Sequence, residues 1–233
     1  MQYPRSKYWI NFCLILALAG CNASQNTVPD SGSEATPTGT EATSNLSADI
    51  SQAAEAPAFT SAAEEPLWTQ LMNADEETYV VLLRHAIAPG TGDPANFQLS
   101  DCSTQRNLSD AGRQQAEEIG AAFRDRNIPV TKVLSSQWCR CLETAELMNI
   151  APVEPFPPIN SFFRDRSTAQ AQTAQVKDYI AANEDSADVI IMVTHQVNIT
   201  ALSDIFPQSG SAVVVQLNNG QLDVLGQLLE NDE

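Results

Sequence analysis

Three short β-forming runs most constrain the fold of this chain: Tyr79-Val80-Val81-Leu82-Leu83, residues 130–134, and Val189-Ile190-Ile191-Met192-Val193. The first and third are apolar at every position. A half-exposed strand alternates apolar and polar side chains, so an unbroken run is the mark of a strand covered on both faces, as in a parallel sheet. Helical patterns lie between the runs. Ser109 precedes a helix on which Gly112, Ala116, Ile119, Gly120 and Phe123 fall at helical spacing, and Pro129 marks its exit. Further helices are expected over residues 140–148, 169–182 and 197–205, and an extended stretch over 152–158. Segments 212–217 and 222–225 flank Asn218-Asn219-Gly220, a hairpin signal. This alternation predicts a three-layer α/β/α domain with a mostly parallel central sheet. Such sheets bind ligands beyond the carboxyl ends of their strands. Chemistry is therefore expected just after Leu83, Leu134 and Val193.

Those positions hold Arg84-His85-Ala86, Ser135-Ser136-Gln137-Trp138-Cys139-Arg140, and Thr194-His195-Gln196. The chain has 2 histidines, and both are here. Two imidazoles and two guanidiniums in one crevice make a pocket for an oxyanion. Arginine forks bind phosphate oxygens bidentately and stay charged. Nearby cations favour a neutral imidazole, which can act as a nucleophile. The four together carry far more weight than any one of them, since a lone His or Arg at a strand end is more often structural.

The segment Leu83-Arg84-His85-Ala86 resembles the Arg-His-Gly/Ala signature of the histidine phosphatase superfamily, the phosphoglycerate-mutase-like proteins. Asn107-Leu108-Ser109 with Gly112 and Gln115-Ala116, Ser135-Ser136 through Arg140 with Glu143-Thr144-Ala145, and Val193-Thr194-His195 are similar to its other motifs, in the same order. The resemblance spans nearly all of residues 78–229. It implies a phosphoglycerate-mutase-like fold and a metal-independent phosphomonoesterase, with no cofactor. In that reading His85 attacks phosphorus and carries a phosphohistidine. Arg84 and Arg140 clamp the phosphoryl oxygens, Gln196 lies against the substrate, and His195 stabilises the charge of the transition state. Other phosphoryl-transfer chemistries lack their residues here. There is no Asp-x-Asp, no Cys-x5-Arg loop and no Walker A Lys, and two histidines are few for a binuclear metal site.

One departure matters. Many family members carry a glutamate acid where this chain has Asn160, which cannot donate a proton in that way. The loop carboxylates Asp93 and Asp101 are the candidates for the acid. Capping the loop is their alternative role, and a further alternative is that no strong acid exists and good leaving groups are preferred. Arg106, Arg164 and Arg166 are candidates for the rim of the pocket.

The N-terminus reads as an address. Arg5 and Lys7 precede an apolar run from 9 to 19, about half the length of a membrane-spanning helix. The run ends Leu18-Ala19-Gly20-Cys21, which resembles a bacterial lipobox, with lipid expected on Cys21. Asn22 is not the Asp that marks inner-membrane retention, so an outer-membrane anchor facing the periplasm is expected. Residues 1–20 are then a signal peptide, 21–66 a flexible tether rich in Ser, Thr, Ala, Pro and Glu, and 67–233 the phosphatase domain. The net charge of -17, from 12 basic and 29 acidic residues, argues against nucleic acid as a partner. The expected partners are a phosphorylated small molecule or envelope component, and the membrane through the lipid.

Export places Cys102, Cys139 and Cys141 in an oxidising space. An odd count suggests one bridge and one free thiol. Cys102–Cys139 is preferred over Cys102–Cys141, and three reduced thiols are the alternative. Two function classes stay open: a phosphatase, or a non-catalytic lipoprotein that binds a phosphorylated envelope component through the same pocket.

Overall fold

The computed structural model describes residues 62–74 and 77–230. The expected signal peptide, Cys21 and residues 22–61 of the expected tether lie outside them. Strands β1 (Tyr79–Arg84) and β4 (Val189–Thr194) run parallel at the centre, with Leu83 opposite Val193 and Arg84 opposite Thr194. Strand β2 (Val130–Ser135) pairs in parallel with the other side of β4, and the short edge strand β3 (Val153–Pro155) pairs in parallel with β2. The hairpin β5 (Ala212–Asn218) and β6 (Gln221–Leu228) completes the other edge, with β5 antiparallel to β1. The sheet order is β3-β2-β4-β1-β5-β6. At the hairpin tip Asn219 (φ 52°) and Gly220 (φ 75°) both take positive φ, as a type I′ turn requires.

The apolar runs are covered on both faces, as their patterns predict. Val81 and Leu83 of β1 enter one core layer, and Val80 and Leu82 enter the other, because successive side chains point to opposite faces. Helices α1 (Glu65–Met72), α2 (Asp110–Asp125) and α3 (Cys139–Met148) cover the first face; α4 (Ala169–Ala181) and α5 (Gln196–Ser203) cover the second. Each Val, Leu or Ile fully buried in these layers contributes about 1.5–3 kcal/mol relative to exposure. The central strands are therefore rigid supports for whatever follows their ends.

Two local features differ from expectation. Helix α1 begins at Glu65, two residues before the expected domain start at Leu67. Its buried Trp68 packs edge-on against Phe123, with ring centroids 5.1 Å apart, and donates to Glu64 Oε2 at 3.3 Å. Glu64 Oε1 accepts from the Glu230 amide at 3.1 Å, which ties this helix to the end of β6. Within residues 152–158 only Val153–Pro155 is a strand. Pro157 and Pro158 open a 3₁₀ turn (Pro157–Ile159), since their fixed φ suits the first turn of a helix.

Candidate active site

Strand register builds the site. The His85 amide donates to Thr194 O at 3.0 Å, and the Ser136 amide donates to Val193 O at 2.9 Å. The ends of β1, β2 and β4 thus carry His85, Ser136 and His195 side by side. The two imidazole centroids are 5.5 Å apart.

His85 is 2% exposed. Its Nδ1 lies 2.8 Å from Ala86 O. A carbonyl only accepts, so Nδ1 carries the proton and Nε2 keeps its lone pair. Burial, then the Arg140 charge, with smaller contributions from Arg106 and Arg84, holds the pKa well below the usual 6.5. The ring is therefore neutral at neutral pH. The next two residues are fixed by neighbouring helices. Thr144 Oγ1 of α3 accepts from the Ala86 amide at 3.1 Å, and Gln115 Oε1 of α2 accepts from the Ile87 amide at 3.0 Å. Gly112 lets α2 cross directly over Ile87; a Cβ there would run into the Ile87 carbonyl.

His195 is also buried. Arg140 Nη2, which can only donate, lies 3.3 Å from its Nδ1. The remaining proton therefore sits on Nε2, which donates to Ser136 Oγ at 2.8 Å, and Ser136 Oγ donates to Asn160 Oδ1 at 3.2 Å. Both ring nitrogens are thus engaged by protein groups. In this arrangement His195 has no ring N–H left over for a ligand. Burial, then Arg140 and His85, lowers its pKa well below 6.5.

Arg84 and Arg140 line one cavity with both histidines. Arg84 Nη1 donates to Pro207 O at 2.8 Å. The Nε atoms of both arginines are buried donors with no partner. Buried donors are normally paired, and two such guanidiniums on residues that line one cavity mark it as an anion site. The cavity holds about 340 Å³, and Gln196, Arg106, Arg166, Phe163 and Phe206 also line it.

The two acid candidates are placed differently. Asp93 lines the cavity, but its Oδ1 lies 2.7 Å from Arg140 Nη1 and its Oδ2 3.3 Å from Nη2. It also accepts from the Arg106 amide and from Trp138 Nε1. Burial alone would raise its pKa; the Arg140 hydrogen bond and charge, helped by those two donors, outweigh burial and lower it. Asp93 is thus a paired carboxylate, held ionised rather than poised to donate a proton. Asp101 is exposed and caps the 3₁₀ turn Cys102–Thr104, accepting from Ser103 N at 3.0 Å; it does not line the cavity. Asn160 accepts from Gln137 N and donates to Gln137 Oε1, so both ends of its amide are used structurally. Arg164 donates to Pro94 O and does not line the cavity, whereas Arg106 and Arg166 do.

The preferred bridge is present: Cys102 and Cys139 form a disulfide, closing a separation of 37 residues. Gln105 doubles this tie, accepting from the Cys139 amide while donating to Gln98 O and Leu99 O. The loop that carries Asp93 is thereby fastened to the first turn of α3, next to Arg140. Cys141 is the free thiol, fully buried against His195, with Sγ 3.5 Å from Nε2. Reading residues alone missed Ser136, Gln115 and Thr144 as positioning groups. Their place inside the resembling motifs was the available signal. Among the described residues no cluster of three or more His, Cys, Asp or Glu is placed to hold a metal ion.

No curated protein sequence matches the chain. The fold is similar to that of Bacillus stearothermophilus YhfR, with a TM-score of 0.51 and 15% identity, over 64% of this chain and 96% of that one. It is also similar to phosphoserine phosphatase from Entamoeba histolytica in complex with 3-phosphoglyceric acid, with a TM-score of 0.49 and 14% identity, over 66% and 98%. For alpha-ribazole phosphatase from Shigella flexneri the TM-score is 0.44 and the identity 17%, over 64% and 95%. At 15% identity the likeness to YhfR is one of fold. Residues 80–160 match the family model of the histidine phosphatase superfamily (branch 1). That segment contains Arg84, His85, Asp93, Arg140 and the disulfide, while His195 lies beyond it. Through this match residues 80–160 are similar to the histidine phosphatase superfamily.

Proposed function

We propose that the protein is a metal-independent phosphatase that works through a phosphohistidine on His85. The observation that carries this reading is the buried, neutral His85, whose Nδ1–H is tied to Ala86 O in a cavity that Arg84 and Arg140 also line. Nε2 attacks phosphorus in line. The N–P bond forms as the P–O bond breaks, and the electron pair leaves with the departing oxygen. Arg84 and Arg140 hold the charge spread over the equatorial oxygens, and His195 keeps Arg140 in position. Water then attacks phosphorus, and the pair of the N–P bond returns to Nε2. Purified full chain in excess EDTA is expected to hydrolyse an aryl phosphomonoester. His85→Ala is expected to reduce the rate at least about a hundredfold, the scale of losing a nucleophile. Equal rates would contradict the reading.

We further propose that the protein is a lipoprotein of the cell envelope, anchored through Cys21 to the outer membrane. A disulfide in the domain fits an oxidising compartment. Mass spectrometry of membrane-extracted protein is expected to find a lipid-modified Cys21 at the mature N-terminus; a soluble product starting elsewhere would refute it. A non-catalytic role, holding a phosphorylated envelope component in the same pocket, is favoured only by the lack of an evident acid. Turnover that His85→Ala abolishes excludes it.

A further inference from the structure

The cavity is poor in proton donors and rich in cations. Among the described lining residues Asp93 is the only carboxylate, and Arg140 holds both its oxygens. Asn160, where the family resemblance expects an acid, spends its amide on Ser136 and Gln137. An alkoxide leaving group, whose conjugate acid has a pKa on the order of that of water at about 15.7, would have to depart here without a proton. A phosphate leaving group, with a pKa of about 6, departs without one and needs positive charge instead.

Positive charge is what the cavity supplies. Beside Arg84 and Arg140 it is lined by Arg106 and Arg166, on a chain whose net charge is -17. Arg106 is held by two backbone carbonyls: its Nε donates to Gly92 O at 2.9 Å and its Nη1 donates to Ala88 O. Its Nη2 is in neither bond. Burial, then the Arg140 charge, lowers the Arg106 pKa to about 10, which leaves it cationic at neutral pH. Arg166 stands in the 3₁₀ turn Arg166–Thr168 at the same cavity. Four guanidiniums face one carboxylate there. A monoester dianion offsets two of the three surplus charges, and a diphosphate trianion offsets all three. The volume of about 340 Å³ is that of a small-ligand pocket rather than a single phosphoryl site. At its mouth Phe206 is 71% exposed and Phe163 46% exposed. Two bare aromatic rings on a cationic cavity suit a substrate with an apolar body behind its anionic head.

We propose that the favoured substrate is an organic diphosphate, with its terminal phosphoryl group against His85, its inner phosphate on Arg106 and Arg166, and an apolar body at Phe163 and Phe206. This rests on the phosphatase reading above. His85 Nε2 forms the N–P bond to the terminal phosphorus. The bond from that phosphorus to the bridging oxygen breaks, and its electron pair stays on the inner phosphate, which leaves as the organic monophosphate dianion without taking a proton. Water oxygen then bonds to phosphorus and the N–P pair returns to Nε2. One proton of the water stays on the released orthophosphate and the other passes to solvent.

Three substrates given to the purified full chain in EDTA test this: a short-chain alkyl diphosphate, the monophosphate of the same alcohol, and 4-nitrophenyl phosphate. The diphosphate is expected to exceed the alkyl monophosphate in kcat/KM by at least a thousandfold, yielding alkyl monophosphate and orthophosphate. Arg166→Ala is expected to lower the ratio of diphosphate to 4-nitrophenyl phosphate turnover at least tenfold. If 4-nitrophenyl phosphate is cleaved but the two alkyl substrates react alike, or the ratio ignores Arg166, the diphosphate assignment is overturned while the phosphatase reading stands. Failure to cleave any of the three overturns the phosphatase reading itself.

Discussion

Arg140 and Asp93 are a buried, two-point ion pair: Nη1 lies 2.7 Å from Oδ1 and Nη2 3.3 Å from Oδ2, with side chains 3% and 5% exposed. The same Nη2 also reaches His195 Nδ1. The guanidinium is thus oriented from two sides before any ligand arrives. Asp93 holds the guanidinium in place, and the same contacts lower its pKa and favour the ionised carboxylate.

Substitution of Asp93 separates these roles. Asp93→Ala leaves a buried charge unpaired and is expected to cost about 3–5 kcal/mol of stability, read by denaturant unfolding. Asp93→Asn is expected to lower kcat/KM for aryl phosphates by one factor, about 10–100-fold, whatever the leaving-group pKa. A loss that grows steeply with leaving-group pKa would restore Asp93 as the acid.

The disulfide is expected to act on the same group. Removing it with Cys102→Ser and Cys139→Ser frees a long loop and is expected to cost about 2–4 kcal/mol and to reduce kcat, because the loop carries Asp93 to Arg140. Non-reducing peptide mapping is expected to find the Cys102–Cys139 peptide. Burial pushes the Cys141 thiol up to about 12, so alkylation of Cys141 in the native protein at pH 8 is expected to be slow and to become fast on unfolding.

Both histidines have pKa values lowered by burial and by nearby guanidiniums. The unfolded chain therefore binds protons that the folded chain refuses. Their contribution to stability is full above about pH 6.5 and is lost as pH falls from there toward the lowered folded values. Thermal unfolding in phosphate-free buffer is expected to weaken between pH 6.5 and 5, and the double variant His85→Gln/His195→Gln is expected to flatten that slope. By the same shift kcat/KM, corrected for substrate ionisation, is expected to stay level down through pH 6. An acid limb centred at 6.5 would contradict it.

Gly112→Ala tests the crossing of α2 over the residue two past His85. The added methyl meets the Ile87 carbonyl, part of the backbone rather than a yielding side chain. A loss of several kcal/mol is expected, at the upper end for a single substitution, together with reduced kcat. An unchanged melting temperature would show that the helix can shift.

The parts of this arrangement that could be read in the chain are those with a repeating physical signal. Strands β1 and β4 are legible because a strand covered on both faces must be apolar throughout, and helix α2 because Ser109 caps a 3.6-residue pattern. The parallel rule then located His85 and His195. Helix α1 was hidden, since its eight residues follow an Ala-, Glu- and Pro-rich stretch of similar composition, and only Trp68 and two leucines mark its buried side. The fate of Asp93 was hidden too. Loop carboxylates look alike in sequence, and only the path of the loop decides that Asp93 meets Arg140 while Asp101 caps a turn. The cysteine pairing was half legible. Parity and compartment pointed to one bridge, while the facing of α3 decides that Cys141 enters the core and Cys139 meets the loop.

The most direct test is chemical capture of the intermediate. Full-length protein mixed with a ³²P-labelled aryl phosphate in excess EDTA and quenched within milliseconds is expected to carry label that is stable to alkali and labile to acid, on the peptide containing His85. The label is expected to be absent from His85→Ala and to decay at a rate no slower than kcat. Steady turnover with no labelled His85, or label on a serine or aspartate, would contradict the account.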